Sequence, residues 1–556
     1  MKPVGLPSSS PRLSLTATVG TAAEFGSTSE RLRRNPVRHP KGDRHNLSEV
    51  GCQRTYTHGS RSNRGLPDRI PAGFQKNAKL GELPRLTTHH SRLPPPASRF
   101  TTHEQDPKGN LNQPMIDRYT TPAMNAIWSR EAKYRRWLEV ELAVVWAHTA
   151  DGAVPVAAFE EIKRGARFDL DRCDEIEKET RHDLMAFVRN LSENIGPTGR
   201  YVHLGLTSYD VIDTALGMML RDSADVLIAS AGRLRAEMSR LSGTYIDTPE
   251  IGRTHGIHAE PITFGFKCAN WLAELDRNIV RLRAVREDVA VGKISGAVGI
   301  HAHVSPSLEA AVCAELGLKP DAASTQIVNR DRHAAFLNAL ALLGAHLERV
   351  ATELRNLQRT EILEVQEAFG VGQTGSSAMP HKRNPWNSET VCGLARLLRG
   401  NAHAMLESVA TWHERDLTNS SLERIVFPDS CHLADFMLNR VTNLLANLQV
   451  FPERMLQNLR QMGELVFSEH LMIALIQAGL SREEAYKTAQ TNAAKAWAGA
   501  DFRQSAEADP TVLSHLSPEA LAEVFSLDHH LRHRRHTLDA VNAARDLAEN
   551  SHSLTR

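Results

Sequence analysis

The chain has 556 residues, of which 41% are hydrophobic and 24% charged, with a formal net charge of +1. This is an ordinary balance for a soluble protein, and the length allows more than one buried core. No run of 18 apolar residues occurs and the N-terminus lacks the apolar centre of a secretory signal, so neither a membrane span nor secretion is expected. The six cysteines (Cys52, Cys173, Cys268, Cys313, Cys392, Cys431) include no C-x-x-C pair. That spacing argues against a disulfide framework or zinc knuckle and suits a reducing compartment, so a cytoplasmic protein is expected.

The average charge hides a split. Residues 1–114 hold 18 Lys or Arg against 8 Asp or Glu, a net of +10, which leaves 48 basic and 57 acidic residues and a net of −9 for the rest. The first segment is rich in Pro, Ser, Arg, His and Gly ("HHSRLPPPASRF") and has no periodic apolar face, so it is expected to be a disordered basic extension. A nucleic-acid-binding tail and a transit-like leader both fit this composition, although Glu24 and Glu30 count against the leader. The plainest reading places the natural start at Met115.

From Met115 the pattern becomes helical. "NAIWSREAKYRRWLEVELAVVWAHTA" sets Ile127, Tyr134, Trp137, Leu138, Val144 and Val145 at three- and four-residue spacings, as a buried helical face requires. Long helical patterns follow at 208–243, 262–290, 331–369, 387–412 and 428–461, with Gly or Pro marking the joints. The chain therefore reads as all-α, with middle helices too long for one compact globule and suited to a rod-like bundle shared between subunits. The expected divisions are a helical domain over 115–224, a long-helix bundle over 225–478, and a C-terminal helical domain with a polar tail over 479–556.

Polar clusters interrupt these patterns. "TRHD" holds Arg181, His182 and Asp183; "HLGLTSYD" holds Thr207 and Ser208; "GRTHGIHAEP" holds His255 and His258; "WHERDLTNSSLERI" holds Arg415, Ser420 and Arg424. The loop "GSSAMPHKRNP", residues 375–385, packs two serines and a His-Lys-Arg triplet between Gly375 and two prolines that preclude regular helix. Each cluster has a plain structural reading. Arg181 and Asp183 suit a surface ion pair worth under about 1 kcal/mol. His255 and His258 suit a helix-end pair, or half a metal site for which no third ligand stands at usable spacing. "HHLRHRRH" (529–536) reads as a solvated basic helix face. Together, though, arginines, hydroxyls and histidines make a set for an anionic substrate and proton transfer.

With these residues in hand, a resemblance is plain. "GSSAMPHKRNP" resembles the signature of the fumarase/aspartase superfamily, which argininosuccinate lyase, fumarase and carboxymuconate cycloisomerase share. "RTHGIHAEP", "TRHD", "GLTS" and "WHERDLTNSSLERI" narrow the likeness to the bacterial-type adenylosuccinate lyase family, over about Met115 to Leu531. The resemblance implies a three-domain all-α fold whose central long-helix bundle is shared in a homotetramer, with each active site drawing on three chains. It implies β-elimination of fumarate from adenylosuccinate, and from SAICAR, with no metal or organic cofactor. Another fumarate-releasing lyase, or a helical scaffold without activity, is the alternative; intact Ser376, His255 and Lys382 oppose the scaffold.

The resemblance also assigns roles. Ser376 is the base, acting as alkoxide, and His255 the acid that protonates the leaving amine, with His182 as its alternative. Ser377 is a substrate-carboxylate ligand, and His381, Lys382, Arg383 and Asn384 stabilise the charge that gathers on the carboxylate beside the departing proton. Arg118, Tyr119, Arg415, Ser420 and Arg424 hold the nucleotide end, above all its phosphate. Arg181, Asp183, Thr207, Ser208 and Gln326 complete the substrate contacts.

Overall fold

The computed structural model describes residues 117–370, 372 and 375–553, so the basic extension over 1–114 lies outside the described residues. Helices carry the fold. Strands among the described residues are confined to one hairpin and two short pairings, Val291–Gly292 with Lys319–Pro320 and Val365–Gln366 with Gln449–Val450. The chain opens with α1 (Pro122–Trp128), α2 (Arg130–Ala150), α3 (Val156–Gly165), α4 (Leu170–Thr180) and α5 (Asp183–Ile195). The continuous helix expected over 125–150 is broken at Ser129, whose hydroxyl accepts the Ala132 N–H and caps α2 instead.

Next come α6 (Ser208–Thr244), the antiparallel hairpin β1 (Pro249–Thr254) and β2 (Ile257–Thr263), α7 (Phe264–Val289) and the short α8 (Pro306–Glu315). The remaining long helices are α9 (Asp331–Leu357), α10 (Trp386–Glu407) and α11 (Thr418–Ala446), and short helices from Pro452 to Ser553 complete the chain. The caps explain the clean starts of α6 and α7. Asp210 accepts the Thr207 N–H at 2.7 Å, and the Thr263 hydroxyl accepts the Phe266 N–H at 3.1 Å.

Three sequence-based extents are corrected. α9 ends at Leu357 rather than 369, because the chain turns back through Leu363, at φ +48°, so that the Glu364 N–H reaches the Leu357 carbonyl. α10 ends at Glu407, five residues short of the pattern. α11 begins ten residues before Pro428 and ends at Ala446, and a separate helix covers Pro452–Leu459. Pro428 does not start a helix. It sits inside one, forfeiting only its own bond to the Arg424 carbonyl.

Side-chain pairs give the direction of each rod. Arg235 on α6 meets Asp276 on α7 at 2.6 Å, and the Ser242 hydroxyl donates to the Gly265 carbonyl at 2.9 Å, so these two run antiparallel. Their close approach requires glycine at 265, where a Cβ would stand 2.4 Å from the Ile246 nitrogen. Arg399 on α10 meets Glu348 on α9 at 2.5 Å and Arg355 on α9 reaches Cys392 on α10 at 3.6 Å, again antiparallel. Ser230 donates to Asp435 at 2.6 Å and Arg233 to Asn439 at 3.0 Å, so α6 and α11 run parallel. One end of the bundle therefore gathers the starts of α6, α9 and α11, and the other gathers the starts of α7 and α10. At 1.5 Å per residue α9 alone separates the ends by about 40 Å.

Three large apolar cores result among the described residues, beside a small cluster of Ile246, Ala269 and Leu538. Tyr134, Trp137, Phe187 and Leu191 anchor one under α2–α5, joined by Val211, Ala215 and Met218 from the first turns of α6. Leu227, Leu234, Leu272, Leu340, Leu347, Leu398 and Leu438 fill the bundle. Phe467, Leu471, Leu475, Phe502 and Phe525 fill the C-terminal helices. α9 is long and apolar enough to match a membrane span by composition, and most of its apolar window is buried in the bundle core.

A buried ionic clamp holds the end where α6, α9 and α11 begin. All five guanidinium N–H groups of Arg330 are used: four go to the carboxylates of Asp213 and Glu423 at 2.7–3.1 Å, and one to the Val328 carbonyl at 2.7 Å. Beside it, Lys293 meets Asp210 at 2.6 Å with both side chains fully buried.

Candidate active site

At the clamped end, α2, α4, α5, α6 and α11 enclose a cleft of about 850 Å³. Seven of the residues predicted from sequence line it: Arg181, His182, Asp183, Ser208, Arg415, Ser420 and Arg424. Local geometry explains how the "TRHD" run delivers three side chains at once. Arg181 ends α4 in the left-handed region at φ +54°, and His182 caps α5 by accepting the Met185 N–H on Nδ1 at 3.4 Å. With Nδ1 used as acceptor, the neutral ring carries its proton on Nε2. Asp183 is buried; one carboxylate oxygen accepts the Leu184 N–H and the other the Arg424 guanidinium, both at 2.8 Å.

Across the cleft, the Arg415 guanidinium lies 3.6 Å over the Tyr209 ring and donates to Gln326 Oε1 at 3.1 Å. Gln326 in turn donates to the Ala297 carbonyl at 3.0 Å, so it stands outside the cleft lining but in contact with Arg415, which is part of it. Burial raises the Tyr209 phenol above its usual range, and a hydrogen bond to Ser420 opposes that rise. Thr207 sits just before Ser208 and serves to start α6. Arg118 and Tyr119 stand elsewhere. Tyr119 packs edge-on against Phe436 at 5.2 Å, which is about 24 Å along α11 from Ser420 by helical rise.

The other predicted groups occupy the opposite end of the bundle. His255 and Gly256 are the two central residues of the β1–β2 turn, both with positive φ (+55° and +79°), in the pattern of a type I′ hairpin. An exposed histidine held in the left-handed region is strained unless its surroundings impose the turn. They do. Arg253 grips Glu364 through two bonds at 2.9 and 2.6 Å, and Lys267 meets the buried Glu250 at 2.8 Å. Burial pushes the Glu250 carboxyl up to about 7 against the pull of Lys267. In the same hairpin, burial and then Arg253 lower His258, which suits a neutral supporting ring.

At this end too lies the 375–385 loop. The Ser376 hydroxyl oxygen accepts two backbone N–H groups, from Ala378 at 3.3 Å and Met379 at 3.1 Å. Gly375 is needed because a Cβ there would stand 2.1 Å from the Lys382 carbonyl, and the Asn384 amide donates to the Gly375 carbonyl at 2.9 Å. Arg383 is held by Gln366 at 3.0 Å and lies over the Phe369 ring. Ser377, His381 and Lys382 are exposed, and the Lys382 amine has no hydrogen bond or ion pair among the described residues. The two amides point their N–H groups at one hydroxyl oxygen, in a loop whose sequence also carries His381, Lys382 and Arg383.

Sequence reasoning missed part of the cleft wall. Arg130, Lys133, Tyr134 and Trp137 line it from the first turns of α2, where their spacing reads only as a helix face. The signal available was a lysine set inside an otherwise buried aromatic stripe.

Comparison with known proteins shows the family. A family described as "Lyase" matches residues 117–400, and one described as "Adenylosuccinate lyase C-terminus" matches 464–541. The adenylosuccinate lyase of Synechocystis is 51% identical over 419 residues, covering 75% of this chain and 97% of that protein. Those of Bacillus subtilis and Thermotoga maritima are 45% and 44% identical, covering 75% and 76% of this chain and 97% and 99% of theirs. Among solved structures, a fumarate lyase from Mesorhizobium superposes with a TM-score of 0.70 at 27% identity, covering 76% of this chain and 98% of that one. The 3-carboxy-cis,cis-muconate lactonizing enzyme of Pseudomonas putida does so at 0.70 and 30% identity, with 76% and 96% covered. A helical bundle with these motifs at its two ends, and relatives this similar over nearly their whole length, place the chain in the adenylosuccinate lyase family of the fumarase/aspartase superfamily.

Proposed function

We propose that the two ends of the bundle supply complementary halves of one elimination. The reaction is the family's, cleavage of adenylosuccinate to AMP and fumarate, and we extend it to SAICAR, which carries the same succinyl-amine linkage. Ser376, as alkoxide, takes the proton from the carbon next to a succinyl carboxylate. The C–N electron pair leaves with the nucleotide amine as the double bond of fumarate forms, and His255 protonates that amine, with His182 as the alternative donor. Ser377, Lys382, Arg383 and Asn384 hold the succinyl carboxylates. Arg415, Ser420 and Arg424 hold the nucleotide, while Arg181, Asp183, Thr207, Ser208 and Gln326 orient it. Arg118 and Tyr119 join them from a neighbouring chain, since Tyr119 packs about 24 Å along α11 from Ser420 within one chain.

The observation that supports this reading best is the Ser376 oxygen at the focus of two backbone amides, since a free serine hydroxyl is too weak a base. Pure protein mixed with adenylosuccinate is expected to release fumarate, followed by absorbance; its absence would overturn the reading. We place the reaction in the cytoplasm, in keeping with the five described cysteines, all buried and unpaired.

The halves lie about 40 Å apart in one chain by helical rise, too far to meet on one small substrate. We therefore propose a homotetramer in which different chains supply the cleft, the hairpin and the 375–385 loop to each site. His255→Ala and Ser376→Ala proteins, each inactive alone, should regain part of their activity when dissociated and reassembled together. Mixed tetramers that form but stay as inactive as either parent would put both residues of a site on the same chain.

A further inference from the structure

Lys133 stands in the first turn of α2 on the cleft wall. Among the described residues its amine has no hydrogen bond or ion pair; it lies 4.8 Å from the Trp137 ring centre and 5.5 Å from that of Tyr134. The other cleft cations with known partners are restrained: Arg130 by Asp174, Arg424 by Asp183 at 2.8 Å, Arg415 by Gln326 at 3.1 Å. An ammonium over two aromatic rings, in a cleft that also holds the Ser420 hydroxyl and the Arg424 guanidinium, has no hydrogen-bonded anion of its own among the described residues.

We infer that the Lys133 ammonium binds the phosphate of the nucleotide, beside Ser420 and Arg424. This rests on the elimination proposed above, which puts a phosphate dianion in the cleft. Lysine suits the task as a compact charge that can reach a dianion already held by a planar arginine.

The electrostatics supply a signature. The charged groups around Lys133 are Asp183 on α5 and Glu177 on α4, which favour its charged form, and Arg424 on α11 and Arg130 on α2, which oppose it. Burial outweighs them all and pushes the amine down to about 8. Because only the ammonium attracts the dianion, AMP affinity should fall as pH rises through that value. The AMP phosphate itself, with a second pKa of about 6, stays a dianion throughout.

The test is calorimetric binding of AMP, with adenosine as the probe lacking phosphate, to the whole protein at pH values on either side of 8. Lys133→Met should weaken AMP by about tenfold or more, the usual loss for one charge-assisted bond, and leave adenosine unchanged. Lys133→Arg should keep AMP affinity and abolish its alkaline fall, since guanidinium does not titrate there. Equal AMP affinity in Lys133→Met and wild type, or equal weakening of AMP and adenosine, would overturn the inference. A wild type that binds AMP in this way but releases no fumarate would overturn the elimination and leave the phosphate contact standing.

Discussion

Ser376→Ala is expected to lower kcat by about 10²- to 10⁴-fold, the range for a lost general base, while KM moves only a few-fold. The split follows from the loop. Alanine removes the atom on which the Ala378 and Met379 amides converge, and with it the anion those amides stabilise. It leaves the scaffold alone, because the Asn384 bond to the Gly375 carbonyl and the grip of Gln366 on Arg383 involve other atoms. The residues proposed to hold the nucleotide lie at the other end of the bundle, on other chains, and should bind as before. Steady-state kinetics with adenylosuccinate and AMP affinity together check this. A variant keeping a tenth of the wild-type kcat would move the base elsewhere, with His182 first in line.

The second large effect is on stability. Arg330→Met should cost about 3–5 kcal/mol, the penalty for stranding buried charge rather than for losing a surface pair. Burial alone would raise both carboxyls. Arg330 reverses this for Asp213, holding it below the usual carboxylate range, but leaves Glu423 raised. Without the guanidinium the two carboxylates face each other unpaired, and both should take up protons far more readily. A raised folded-state pKa adds stability below the unfolded value that is lost as pH rises. The deficit of Arg330→Met should therefore be largest at neutral pH and shrink as pH falls from the raised folded-state values toward about 4, the ordinary carboxylate range. Adding Asp213→Asn and Glu423→Gln should recover much of the loss at neutral pH. The unfolding midpoint in denaturant is the measurement, and a midpoint unmoved by Arg330→Met would show that the clamp contributes nothing.

Much of the bundle was readable from apolar spacing and caps. α6 and α7 run within two residues of their expected extents because Thr207 with Asp210, and Thr263, mark where each starts. α9 was overrun because what stops it is tertiary: Glu364 is drawn to Arg253, more than a hundred residues away in sequence, and no local breaker announces it. Pro428 misled for the opposite reason, since a strong local breaker is tolerated within a helix whose neighbours hold it in place. In the site, motif residues such as Arg181, His182, Asp183 and Arg424 could be named in advance, and their convergence needed only a helix end and a cap. Lys133 was harder to name, because its one signal, a cation at helical spacing among buried aromatics, has the same pattern whether it meets solvent or a ligand. The Arg330 clamp was equally invisible: its partners are separated from it by 117 and 93 residues.

The parallel pairing of α6 with α11 also bears on how the chain is made. Ser230 and Asp435, which meet in the finished bundle, are 205 residues apart. At ribosomal rates of about 5–20 residues per second, roughly 10–40 s pass between their syntheses. Through that interval the stripe of Leu227, Leu234, Met238 and Leu241 has α7 to lean on, but the face destined for α11 stays bare. Nascent chains caught in this window present an open apolar seam to one another, and on a crowded polysome neighbouring copies are the nearest source of an α11. The helix that completes the fold is thus also the one most easily borrowed, and exchange of α11 between chains is the misassembly this architecture most invites.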